Sequence, residues 1–95
     1  MQESRTKFLE QFIIHTNFTR IGLKTTICCL TLYNGFEVVG SSAPVDVRAF
    51  NKQLGERYAY AHALEQMDKF FAFVQQDREH LNKTTTEAAK GTGEE

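Results

Sequence analysis

A chain of 95 residues, 41% hydrophobic and 24% charged, holds one domain, and at this length folding buries only about 60% of the surface the unfolded chain exposes. Eleven basic against twelve acidic side chains leave a net charge of -1, which excludes the global positive field that draws a protein onto phosphate backbones, so direct nucleic-acid binding is disfavoured. No apolar run approaches the ~20 residues that span a bilayer, so no membrane partner is expected.

The opening Met1-Gln2-Glu3-Ser4-Arg5 lacks the basic-then-apolar pattern of a secretory signal and predicts a cytoplasmic protein. Phe8, Leu9, Phe12 and Ile13 recur at helical spacing, which predicts a short amphipathic helix from Ser4, as N-cap, to about His15. Residues 16–24 turn polar around Gly22 and read as a loop or the opening of a third strand.

Thr25 to Tyr33 and Phe36 to Ser41 are strand-like and flank Asn34-Gly35, the signature of a hairpin closed by a two-residue type I′ turn. That turn pairs Tyr33 with Phe36, Thr31 with Val38, Leu32 with Glu37 and Leu30 with Val39, so both faces carry apolar residues and both need cover. Cys28 and Cys29 are adjacent, point to opposite faces of a strand and read as two small hydrophobes in a reducing compartment.

After Ser42-Ala43-Pro44, Asp46 reads as an N-cap with Val45 and Phe50 as a hydrophobic staple, so a long helix is expected from Val47 to about Leu81. Tyr60, Leu64, Met67, Phe71, Val74 and Leu81 form its apolar ridge, widened by Phe50, Leu54, Tyr58, Ala61, Phe70 and Phe73. The ridge is wider than one hairpin covers, which predicts a homo-oligomer, dimer or higher, with Tyr60, Leu64, Met67, Phe71 and Val74 at its interface. From Lys83 to Glu95 no large apolar residue remains, and a disordered polar tail over 83–95 is expected beyond a single α+β domain at 1–82.

The block Thr25-Thr26-Ile27-Cys28-Cys29-Leu30-Thr31-Leu32-Tyr33-Asn34-Gly35-Phe36-Glu37-Val38-Val39-Gly40-Ser41-Ser42-Ala43, with Phe50, Gly55, Ala59 and Ala63, resembles the gene product 49/66 family of small accessory proteins of tailed phages and prophages. The resemblance covers roughly residues 20–66. It rests on an Asn-Gly-Phe turn between two strands, a Gly-Ser exit, an acidic cap and a helix with spaced small residues. Val47 stands where a proline is expected, and the segment Asp68 to Leu81 departs from the usual short Trp-containing ending. The resemblance implies a phage or prophage accessory gene with no established enzymatic activity, of the kind that disables host functions, defence systems included.

His15, His62 and His80 lie far apart and beside no Cys/His/Asp cluster with metal-ligand spacing, so no metal site and no cofactor are expected. His62 and Glu65 share a helix turn, a pairing that fits acid/base chemistry but that helices present routinely, and no nucleophile is signalled nearby. Gly35, Gly40 and Gly55 read as a turn, a close backbone approach and a helix-packing position rather than a phosphate loop. Ser41, Ser42 and Asp46 precede a helix N-terminus, where capping competes with anion binding. Arg48, Lys52 and Arg57 with Phe36 or Tyr60 outline a pocket for a nucleotide, against the plainer reading of Phe36 as a cross-strand partner and Tyr60 as core. Interleaved Lys7, Arg57, Lys69 and Arg78 argue that the acidic side chains form a solvated face rather than a nucleic-acid mimic.

The expected function is therefore non-enzymatic inhibition of a host process, in the manner of anti-CRISPR-like counter-defence, by occluding a host protein complex. The alternative is an oligomer that sequesters a small nucleotide immune signal through Phe36, Ser41, Ser42, Arg48 and Arg57.

Overall fold

The computed structural model describes residues 2–91, with side chains described through Lys83. Helix α1 (Glu3–Glu10), strands β1 (Ile13–Ile21), β2 (Thr25–Leu32) and β3 (Glu37–Ser42), a 3-10 turn at Val47–Ala49 and helix α2 (Lys52–Gly91) follow one another. The strands form one antiparallel sheet in the order β1-β2-β3. This is the expected α+β architecture with the third strand present. Of the tail expected over 83–95, everything after Lys83 lies outside the residues with described side chains.

The first helix is shorter than its periodicity suggests. It starts behind Gln2, whose side chain makes no capping bond, so Ser4 lies inside the first turn instead of capping it. It stops at Glu10, and Ile13 and His15 enter β1, where they pair with Leu32 and Thr31. A helix this short is marginal alone, whereas β-branched Ile13, Ile14 and Thr16 favour a pleated surface beside β2.

The β2–β3 hairpin is one residue out of the expected register. Leu30 pairs with Val38 and Thr31 with Glu37, because the loop is longer than a type I′ turn. The Gly35 amide donates to the Leu32 carbonyl and the Leu32 amide to the Phe36 carbonyl, each at 2.8 Å. Three residues, Tyr33-Asn34-Gly35, therefore make the loop, with Gly35 at φ 89 supplying the left-handed position of a G1 bulge. A one-residue slip exchanges the faces. Thr26, Cys28, Leu30 and Leu32 now join Val38 and Gly40 on the buried face. Thr25, Ile27, Cys29 and Thr31 line the other with Glu37, Val39 and Ser41. Apolar residues therefore stand on both faces, as expected, but on the second Ile27, Cys29 and Val39 alternate with Thr25, Thr31, Glu37 and Ser41, and an antiparallel sheet tolerates such a mixed face in water.

The start of the long helix also moves. Asp46 caps only the 3-10 turn, accepting from the Arg48 amide at 2.9 Å. Val45 is 97% exposed, so no staple to Phe50 forms. Phe50 is extended (φ -62, ψ 131), and the true N-cap is Asn51, whose Oδ1 accepts from the Leu54 amide at 3.0 Å.

Small residues then let α2 lie on the sheet. Gly55, Ala59 and Ala63 repeat every four residues on one helix face, and all three are buried. A Cβ on Gly55 would stand 2.6 Å from Thr26 Oγ1, and one on Gly40 would stand 2.2 Å from the Ala63 amide nitrogen. Leu64 and Met67 continue the contact into a core with Leu9, Cys28, Leu30, Leu32 and Val38. A 40-residue helix runs about 60 Å, while an eight-residue strand spans about 26 Å. The sheet thus covers only the first half of α2, and the longest dimension of the molecule is 65 Å.

Candidate interaction surface

Helix α1 closes the end of the covered half. Phe8, Phe12 and Phe71 meet edge to face, with Phe12–Phe71 centroids 5.1 Å apart, and Tyr33 leans on Phe12 at 5.9 Å. Arg5 Nε donates to Asp68 Oδ1 at 2.7 Å, and the Tyr60 hydroxyl donates to the Glu10 carboxylate. Burial and that hydrogen bond raise the Tyr60 pKa above its ordinary range.

Past this cluster the described side chains of α2 have little cover. Phe70 is 47% exposed, Phe73 68%, Val74 47% and Leu81 55%. The seven residues Phe70 to Gln76 carry no charge over two helical turns. The ridge continues into an apolar groove of about 240 Å³ at the hairpin tip, between Leu32, Phe36 and Val38 on the sheet side and Met67, Phe70 and Val74 on the helix. Phe36 packs edge to face on Phe70 at 5.3 Å and forms one wall.

The five residues expected at an oligomer interface are divided by this arrangement. Leu64 and Met67 are core, Tyr60 and Phe71 pack against it, and only Val74 is open. The protomer's own sheet and α1 cover the ridge from Tyr60 to Phe71. A contact through Leu64 or Met67 would require the core to open. Phe70, Phe73 and Leu81 stand open in their place.

The expected nucleotide residues do not converge. Phe36 precedes β3 and Ser41 and Ser42 end it, six residues or about 20 Å along the strand. Arg48 is bound to Asp46 through both Nε and Nη2, the shortest bond being 2.8 Å. That guanidinium holds the Asp46 carboxyl below its ordinary range. Arg57 stands exposed on α2.

Both ring nitrogens of His62 are in use, and neither meets Glu65. Nδ1 accepts from the Ser41 amide at 3.0 Å and Nε2 lies 3.1 Å from the Gln66 amide. Because Nδ1 accepts, the proton is on Nε2, and the Gln66 carbonyl oxygen is the group that should face it. His62 thus caps a strand edge. Among the described residues, no group of three His, Cys, Asp or Glu side chains comes together to hold a metal. Among them too, no helix is long and apolar enough to cross a membrane. Cys28 is fully buried and its thiol is pushed up to about 11 by desolvation and by neighbouring Cys29.

One polar groove escaped the sequence reading. It measures about 250 Å³ and is lined by Phe18, Arg20, Thr26, Phe50, Lys52 and Glu56 among others. The Arg20 guanidinium lies 4.3 Å from the centroid of the Phe50 ring. Arg20 belongs to the stretch whose conformation the sequence left open, and Phe50 carried the signal of a staple. Without the β1 register nothing in the sequence joins them.

The family described as phage protein (N4 Gp49/phage Sf6 gene 66) matches residues 5–78. The chain belongs to this family. The match runs past the block at 20–66 and takes in most of α1, all three strands and α2 as far as Arg78. No curated protein and no solved structure matches the chain.

Proposed function

We propose that this phage-family protein is a non-enzymatic inhibitor of a host process, acting in counter-defence by docking on a host protein complex and occluding it. The observation that carries the reading is the charge-free, open ridge of Phe70, Phe73 and Val74, continuous with the groove behind Phe36. Exposed apolar area next to a preformed cleft is characteristic of protein-binding surfaces. Depletion of charge with enrichment of aromatics marks the centre of an interface. A photo-crosslinking side chain placed at position 73 and expressed in host cells tests it. A defined host protein should be trapped from position 73 and not from position 19 on the opposite face. Equal patterns from the two positions would overturn it.

A second reading, sequestration of a small nucleotide signal, draws on the groove beside Arg20 rather than on the residues first expected. Two aromatic rings, two threonine hydroxyls and two cations, of which Lys52 already lies 3.8 Å from the Glu56 carboxylate, line one cleft, and the rings with Arg20 suit a base and a phosphate. Calorimetry with cyclic and linear nucleotides, repeated on Arg20→Ala, decides it: heat that the variant abolishes supports the reading, and no heat with any nucleotide removes it.

A further inference from the structure

The two edges of the sheet are treated differently by the chain. At the β3 edge, the outward-facing Ser41 amide is taken by His62 Nδ1 at 3.0 Å, the strand has only six residues, and α2 crosses it at Gly40. At the other edge β1 runs nine residues with neither proline nor lysine, and it is exposed over most of its length.

The directions of the unpaired groups follow from the ladder. The Tyr33 amide donates to the Phe12 carbonyl at 2.9 Å, and after the bulge between Ile13 and His15, His15, Asn17, Thr19 and Ile21 stand opposite Thr31, Cys29, Ile27 and Thr25. In an antiparallel pair, alternate residues exchange both bonds with the neighbour. His15, Asn17 and Thr19 therefore face β2, while the amides and carbonyls of Thr16, Phe18 and Arg20 point away from the sheet. Among the described residues none of these outward groups has a partner. The Arg20 side chain lies over Phe50 and donates to the Leu23 carbonyl, not to the edge groups of Thr16 or Phe18.

We propose that this edge pairs with β1 of a second copy of the chain, antiparallel about a two-fold axis at Phe18, to give a continuous six-stranded sheet. A two-fold contact uses one patch twice, so the patch must be complementary to itself, and β1 is. With Phe18 on the axis, Thr16 falls opposite Arg20 of the second copy, Asn17 opposite its Thr19 and His15 opposite its Ile21. No two cations meet, and like charges directly opposed are what destabilise such pairs. The three outward residues of each copy exchange about six backbone hydrogen bonds across the join. The axis is perpendicular to the sheet, so both α2 helices stay on one face and both Phe73 ridges stay open. This places self-association on β1 rather than on the helix ridge.

Sedimentation equilibrium and amide exchange on the full chain test it. The expected result is a mass twice the 10.9 kDa of one chain, with the Thr16, Phe18 and Arg20 amides protected like those of Asn17 and Thr19. Thr16→Pro removes one outward donor, a substitution tolerated on an edge strand, and should halve the mass with the circular dichroism spectrum unchanged. Should Thr16→Pro not fold, the exchange pattern of the unmodified chain still decides. A monomer overturns the proposal, as does a dimer in which those three amides exchange freely, or one that Val74→Glu dissociates and Thr16→Pro does not.

Discussion

Gly40 on β3 and Ala63 on α2 meet backbone to backbone: a Cβ on Gly40 would come within 2.2 Å of the Ala63 amide nitrogen and 2.6 Å of its Cα. Neither atom belongs to a movable side chain. Gly40→Ala must lift α2 from the sheet, and over-packing of this kind costs about 3 kcal/mol. Ala63→Gly should not rescue it, because the atoms in conflict remain. Urea unfolding of the two single variants and the double variant measures both statements, and rescue by Ala63→Gly would show that the helix is held elsewhere.

His62 reads as structural. Removing its ring leaves the Ser41 amide without its acceptor at an exposed edge, a loss of about 1 kcal/mol. His62→Ala should lower the unfolding midpoint slightly. Nitrogen chemical shifts of the neutral ring should show an unprotonated Nδ1 and a protonated Nε2; the opposite tautomer would remove the Ser41 bond.

Two groups make the fold sensitive to alkali. The Cys28 thiol rises from an ordinary 9.0 to about 11 on folding, and Tyr60 is also raised. In each, the folded state holds its proton more tightly than the unfolded one, so the stabilisation from Cys28 is complete below pH 9 and is lost as the pH climbs towards 11, while that from Tyr60 is complete up to its ordinary 10.0 and is lost only above that range. The unfolding midpoint should fall across that window, less steeply in Cys28→Ala. Thiol labelling of the folded chain should modify Cys29, on the open sheet face, before Cys28. Labelling of both at one rate would place Cys28 outside the core.

Arg5–Asp68 is the ion pair that ties α1 to α2, yet its side chains keep 39% and 36% of their exposure. Water screens a pair so placed, and a double-mutant cycle should return about 0.5 kcal/mol. Leu9→Ala, by contrast, empties a fully buried site and should cost about 3 kcal/mol, since apolar packing rather than charge docks α1.

Much of the fold is legible in the residues. Alternation over Thr25–Leu32, the Asn-Gly turn, and the small residues Gly55, Ala59 and Ala63 locate the hairpin and the face of α2 that covers it. The register is not legible, because Asn34-Gly35 serves a two-residue and a three-residue loop equally well, and only Gly35 as a bulge brings Leu30 and Val38 to the same side. The shared helical spacing of Phe8, Leu9, Phe12 and Ile13 likewise hides the change from helix to strand after Glu10, which tertiary pairing with β2 decides. For the interaction surface, the periodicity finds the ridge but not where its cover ends. That limit is set by the 26 Å reach of a short strand and by α1 closing on Phe71.

The most direct test is phage plating on hosts that carry defined defence systems and express this protein. The unmodified chain should raise plating on at least one such host, and Phe73→Glu/Val74→Glu, with an unchanged melting profile, should not. Protection by the double variant equal to that of the unmodified chain would contradict a function carried by the open ridge of α2.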